Sequence, residues 1–211
     1  MPAMAKSAEM NWVLSPKLGV KRKLLERIGG EKVSRATSIV KYDEGASFDS
    51  HIHTGGEEFF VLDGTFSDET GNYPAGWYVR NPPGTQHKPF SNEGCQIFVK
   101  LGQIHWSDKV SVRLDTNAAN RVWQDCEKGC SSLLLHKNLF ERVSLIRWPR
   151  GLKLEPNPSL GGLEIFVLKG RFVDDFGDHH KGDWIRIPAG HGHRVRALED
   201  TLLYVKTGHL R

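Results

Sequence analysis

The chain repeats itself, and the repeat limits its architecture more than any single motif does. Sliding the sequence by 106 positions lays Gly64, Phe66, Asp68, Gly71 and Gly76 on Gly170, Phe172, Asp174, Gly177 and Gly182 without a gap. The register continues through Arg80, Pro82, Gly84 and His87 on Arg186, Pro188, Gly190 and His193. It also holds for Gly55 and Gly56 on Gly161 and Gly162, and for Lys100 and Gly102 on Lys206 and Gly208. Self-similarity on this scale means two copies of one structural unit. Near the start of each copy Trp12 matches Trp123 at an offset of 111, so one connection in the second copy is about five residues shorter. The repeats run from 11 to 105 and from 122 to 211. The corresponding domains are 1–105 and 122–211, with 106–121 as a linker.

Each copy consists of short alternating apolar runs broken by Gly, Pro, Asn and Asp, the pattern of antiparallel β-structure. Ser38–Tyr42, Phe59–Leu62 and Gln96–Lys100 carry the β-branched and aromatic residues that fill a pleated face, and Ser144–Trp148, Ile165–Leu168 and Leu202–Lys206 repeat them. Within Lys21–Ile28, Leu24, Leu25 and Ile28 have helical spacing. Gly29 and Gly30 then open another alternating run, which favours the first arm of a hairpin. The basic stretch Lys17–Lys23 reads as a solvated strand face. Roughly seven strands per copy imply a closed or double-sheet barrel, which removes exposed edges.

Composition removes several classes of function. No apolar run reaches the roughly 18 residues of a membrane span, and Met1–Trp12 lacks the apolar core of a secretory signal. A cytoplasmic location with no membrane partner is expected. The net charge is +4, but 29 basic and 25 acidic residues are interspersed without a block, so nucleic acid is not an expected partner. Three cysteines do not make a disulfide framework. Cys126 and Cys130 lack a second thiol pair and read as unligated loop thiols.

The chemical signal lies in the first copy. His51 and His53 flank Ile52, so on a strand both imidazoles share one face. Glu57 follows after Thr54, Gly55 and Gly56, and His87 follows Pro82 and Gly84. Three imidazoles and one carboxylate suit a divalent transition metal, with no thiolate to favour a soft ion. The adjacent Glu58 points the other way on a strand. Because Glu58 repeats as Glu164 whereas Glu57 repeats as Leu163, Glu58 is expected to have a structural role, such as an ion pair with Arg80 or Arg186. In the second copy Asn157, Ser159 and Leu163 replace the first three ligands and only His193 persists, so no metal is expected there. An alternative cluster would draw on His179, His180, His191 and His193 with Glu164.

The spacing G-x5-H-x-H-x3-E-x6-G from Gly45 to Gly64, followed by G-x5-P-x-G-x2-H from Gly76 to His87, resembles both conserved motifs of the cupin superfamily. The resemblance spans both copies. It implies an all-β bicupin, two tandem double-stranded β-helix (jelly-roll) barrels packed as a pseudo-dimer. The strings Gly55–Gly64, Phe66–Gly71, Tyr78–Gly84 and Gly94–Leu101 are narrower, and look like the cupin domain of ChrR-type anti-sigma factors. That family also includes stand-alone bicupins and relatives of cupin dioxygenases. The resemblance implies that His51, His53, Glu57 and His87 bind one metal, zinc or iron first, with manganese or nickel as alternatives.

Anti-sigma proteins of this type add an N-terminal H-x3-C-x2-C zinc domain, which this sequence does not show. Direct sigma-factor binding is therefore not expected. Two functions follow: a regulatory or stress-sensing metal protein, or an Fe(II)-type dioxygenase acting on a small ketone, diketone or phenolic compound. A third reading is a binding barrel whose ion is only structural. All three place a small molecule in the metal pocket, with Tyr42, Phe59, Cys95, Gln96 and Phe98 as candidate walls. The chain is expected as a monomer or homodimer.

Overall fold

The computed structural model describes residues 2–29 and 35–210. The chain divides into two compact units, Met10–Ala119 and a second made of Asn120–Arg211 with Met1–Glu9. The first strand, β1 (Ala3–Ala5), belongs to the second unit.

In the first unit the strands are β2 (Val13–Leu14), β3 (Val20–Ile28), β4 (Arg35–Tyr42), β5 (His51–Ile52) and β6 (Glu57–Asp68). They are followed by β7 (Gly71–Pro74), β8 (Trp77–Asn81), β9 (Gln86–His87), β10 (Cys95–Leu101) and β11 (Val112–Asp115). The main sheet runs β11-β8-β6-β10-β4-β3-β2, with β7 paired to β6, and β5 and β9 form a separate two-stranded sheet. All the pairings are antiparallel. The segment Lys21–Ile28 is a hairpin arm paired with β4 as expected, while Gly30 of its turn lies outside the described residues. Strand β11 falls inside the stretch read from sequence as a linker and pairs with β8. The core gathers Val20, Val40, Phe59, Val61, Phe66, Val79, Ile97 and Val99.

In the second unit β12 (Gln124–Asp125), β13 (Ser131–Lys137), β14 (Arg142–Trp148), β15 (Lys153–Leu154) and β16 (Leu163–Lys169) come first. Then come β17 (Arg171–Asp174), β18 (Gly177–His180), β19 (Trp184–Ile187), β20 (Val195–Ala197) and β21 (Thr201–Thr207). The main sheet runs β1-β19-β16-β21-β14-β13-β12, and a second sheet runs β15-β20-β17-β18. Strand β21 corresponds in sequence to β10 at the repeat offset; β10 pairs with β6 and β4, and β21 with β16 and β14. Among the described residues no helix is long and apolar enough to cross a membrane.

The repeated glycines have a steric cause. Gly64 has φ +67°, and a Cβ there would sit 2.1 Å from the carbonyl oxygen of Gly94. It lies just beyond Leu62, where the β6–β10 register shifts. Its copy Gly170 has φ +82° and the same close approach, at 2.4 Å from the Asp200 oxygen. Only glycine meets both conditions without strain.

Candidate metal centre

His51 of β5 lies directly opposite His87 of β9 in the antiparallel register, and His53 follows two residues after His51. The short β5–β9 sheet therefore brings together histidines that are far apart in sequence. The ring centroids are 4.8 Å apart for His51 and His53, 5.2 Å for His51 and His87, and 4.7 Å for His53 and His87. One ring nitrogen from each lies within 4.8 Å of the other two. Glu57, at the start of β6, puts Oε2 3.4 Å from His87 Nε2 and 3.7 Å from His53 Nε2. All four predicted residues thus come together.

Two observations test whether this set fits a metal ion. His53 Nε2 and His87 Nε2 are buried without a hydrogen-bond partner, a costly state for imidazole nitrogens unless a ligand takes them up. The outer nitrogens are accounted for by acceptors. His51 Nδ1 lies 2.8 Å from the Asp49 carbonyl oxygen, and His87 Nδ1 lies 3.3 Å from Asp68 Oδ2. A carbonyl or carboxylate oxygen only accepts, so both protons sit on Nδ1 and both Nε2 lone pairs face inward. The residues fit a divalent ion.

Neighbouring groups set the charge states. Burial pulls the His53 pKa below its ordinary value; Glu57 opposes this, and His87 and His51 add to it. The neutral, ligating form of His53 is therefore favoured. At His87 burial also disfavours the cation, but the Asp68 hydrogen bond and the charges of Glu57, Asp68 and Glu69 outweigh it and raise the pKa. Burial would raise the Asp68 pKa, yet hydrogen bonds from His87 and Thr70 hold it well below the usual carboxylate range.

A surrounding shell was not apparent from spacing alone. Asn81 Nδ2 donates to Glu57 Oε2 at 3.0 Å, and Arg113 Nη2 donates to Asn81 Oδ1 at 2.7 Å. Arg113 Nε also donates to the Tyr73 hydroxyl at 3.0 Å, and Tyr73 in turn donates to Asp68 Oδ1 at 3.1 Å. One arginine from β11 therefore braces the supports of both Glu57 and His87. The repeat did mark Asp68 as shared between the copies, but not what it holds. Arg113 has no such signal, because it lies in the stretch taken as linker.

A cavity of about 400 Å³ opens on His51, His53 and Glu57. Its apolar wall comes from Val40, Tyr42, Phe48, Ile97, Val99 and Leu101. Of the predicted wall residues, Tyr42 is on the cavity. Phe59 and Cys95 belong to the packed core, and Phe98 and Gln96 lie on the other face of β10 from Ile97 and Val99. The miss is one of strand phase: a shift of one residue exchanges the two faces. Burial, with the charges of Glu57 and Cys95 adding, pushes the Tyr42 phenol well above its ordinary pKa, so it stays protonated.

The second unit keeps the aspartate behind the last histidine but not the Asn81 and Arg113 supports, and the other three candidate ligands are replaced. Asn157 is exposed, Ser159 Oγ donates to the Gly162 carbonyl at 2.9 Å, and Leu163 packs on the core. Asp174, the copy of Asp68, lies 2.8 Å from His193 Nδ1 and 2.8 Å from His179 Nε2. His179 thus occupies the place of Tyr73, while His180 and His191 are exposed. No cluster of potential metal-ligand atoms among the described residues includes His193.

The family model of the ChrR Cupin-like domain matches residues 1–105 and again residues 111–211. The chain belongs to the ChrR Cupin-like domain family. It is an all-β protein of two tandem cupin domains. No curated protein sequence matches it. Solved structures share the fold. An oxalate decarboxylase variant from Bacillus subtilis is 12% identical with a TM-score of 0.67, covering 98% of this chain and 76% of its own. A protein provisionally described as a dioxygenase, from Nostoc punctiforme, is 16% identical with a TM-score of 0.75, covering 100% and 81%. A provisionally described glyoxylate-induced protein from Pseudomonas aeruginosa is 12% identical with a TM-score of 0.77, covering 100% and 88%.

Proposed function

We propose that the first cupin domain is a catalytic metal site, in which His51, His53, Glu57 and His87 hold one divalent transition ion and a small organic molecule reacts in the adjoining cavity. The observation that carries this reading is the cavity itself: ligand residues form part of its wall, and the rest is mostly apolar. A purely structural ion is normally closed off by four protein ligands, whereas a catalytic one keeps an open position. When bound, such an ion supplies Lewis-acid chemistry and, if it is iron or manganese, redox chemistry. The protein's own part is to orient the His51 and His87 rings through the Asp49 carbonyl and Asp68, to hold Glu57 through Asn81, and to exclude water from one side of the substrate with Val40, Phe48 and Val99. Iron would make the reaction an oxygenation of a ketone, diketone or phenolic compound.

A second reading is a sensor in which the same pocket binds a small molecule without turnover, and the match to the ChrR Cupin-like family supports it. The test is metal analysis by plasma mass spectrometry on protein purified without oxygen or chelator, followed by oxygen-uptake and product screens with these compound classes. About one ion per chain with substrate-dependent turnover is expected. A bound ion with no turnover would move the conclusion to the sensor, and metal-free protein that takes up no ion would overturn both readings.

A further inference from the structure

Strand β3 contributes an arginine to the inside of the first domain. In the antiparallel register Arg22 lies opposite Val40, Val40 opposite Ile97, and Ile97 opposite Val61. Directly paired residues share a face of a sheet, so Arg22 sits in the same inward row as these apolar side chains. The flanking Lys21 and Lys23 take the opposite face. The basic stretch Lys17–Lys23 is therefore not a single solvated face, as its composition suggests. Its middle arginine points the other way, its Nε is buried, and it lines the same cavity as His51, His53 and Glu57.

A guanidinium beside the apolar side chains of Val40, Ile97 and Val99 is suited to receiving an anion whose hydrocarbon part packs against them. The charges on the wall point the same way. Glu57 is the one carboxylate lining the cavity among the described residues, and in the reading above it is committed to the ion. A divalent ion there would be offset by a single lining carboxylate, and Arg22 adds a guanidinium to the same lining. At about 400 Å³ the space suits a small molecule.

We infer that the cavity binds a small organic carboxylate, with Arg22 pairing with the carboxylate and the hydrocarbon part lying against Val40, Ile97 and Val99. This rests on the proposed function for the identity of the site, since it names the class of molecule that enters it. Arginine is suited to the task because its planar fork can meet both carboxylate oxygens, whereas a lysine offers a point charge.

The test uses a matched pair of probes, 3-methylbutanoate and 3-methylbutanamide, which have the same shape and differ in charge. Their affinities for the full chain are measured by calorimetry for wild type, Arg22→Met and Arg22→Lys, with the metal content of each sample determined in parallel. Wild type should bind the carboxylate at least tenfold more tightly than the amide. Arg22→Met should bring that ratio close to one with metal content unchanged, and Arg22→Lys should keep part of it. Equal binding of acid and amide by wild type would overturn the inference, as would no binding of either at millimolar concentration. A ratio retained in folded Arg22→Met would also overturn it, by assigning the preference to the ion alone. If wild type takes up no metal, the metal reading fails separately, and the ratio measured on that protein still decides whether Arg22 selects a carboxylate.

Discussion

Arg80 donates from Nη1 to Glu58 Oε2 at 2.7 Å directly across the β6–β8 register, with side chains 0% and 1% exposed. Tyr78 adds a hydrogen bond to the same carboxylate oxygen at 2.9 Å, and Arg80 Nη2 reaches Asp108 at 2.8 Å. This is the ion pair expected from the repeat, and it explains why two adjacent glutamates divide their work. Glu57 turns toward the histidines and Glu58 toward the arginine. Removing one charge leaves the other buried and incompletely compensated, which costs about 3 kcal/mol. Glu58→Gln should therefore lower the melting midpoint by roughly 6–12 °C, measured calorimetrically, without reducing metal content.

The two domains should differ in metal binding although they share a fold. His51→Ala and His53→Ala each remove an imidazole from the cluster and should lower bound metal from about one ion per chain to near zero. His193→Ala should leave it unchanged, because His193 is engaged by Asp174 and belongs to no cluster of three potential ligand atoms among the described residues. Plasma mass spectrometry of the three variants checks both halves of this expectation, and loss of metal from His193→Ala would contradict the assignment.

Asn81 contacts Glu57 and would support an ion only through it, so its effect should be graded. Loss of an outer-shell partner typically weakens metal affinity 10- to 100-fold. Asn81→Ala should fall in that range in a chelator competition, and Arg113→Gln, one bond further out, should have a smaller effect.

The convergence of His51, His53, Glu57 and His87 was legible in the sequence because strand alternation and glycine-proline turns fix where they point. The two-copy architecture was legible because glycines at sterically forced positions repeat at one offset. Contacts that depend on register between distant strands were not. Asn81 meets Glu57 only through the β6–β8 pairing, and Arg113 reaches the shell from a strand whose sequence carries no repeat. Arg22 was hidden for a related reason. Lys21, Arg22 and Lys23 look alike in composition, and only the pairing of β3 with β4 separates the inward side chain from the outward ones.

Asp174 offers a pH test in the second domain. Burial would raise its pKa, but hydrogen bonds from His179 and His193 and the backbone amide of Phe176 hold it below the ordinary carboxylate value. A depressed folded-state pKa adds stability that is present above the unfolded value near 3.8 and is lost as pH falls toward the folded value. Asp174→Asn should thus be less stable than wild type by about 2 kcal/mol at pH 6. The gap between their melting midpoints should narrow as pH is lowered below 4. A gap independent of pH would show that the carboxylate charge contributes nothing.

Gly55 and Gly161 allow fold and site to be separated, because they hold equivalent positions and only one stands beside ligands. A Cβ on Gly55 would lie 2.7 Å from Gly102 Cα, and one on Gly161 would lie 2.4 Å from Gly208 Cα. Both turns are fastened in the same way, with Gly102 donating to Gly56 at 3.0 Å and Gly208 donating to Gly162 at 3.1 Å. Alanine at either site must push the turn off the neighbouring backbone, an overpacking cost of about 1–3 kcal/mol. The loss of stability should be similar in the two variants. The displaced turn in Gly55→Ala also carries His53 and Glu57 on its two sides, so that variant alone should lose metal affinity. Equal metal binding by Gly55→Ala and Gly161→Ala, at equal cost in melting temperature, would mean that the first turn serves the fold and not the placement of Glu57.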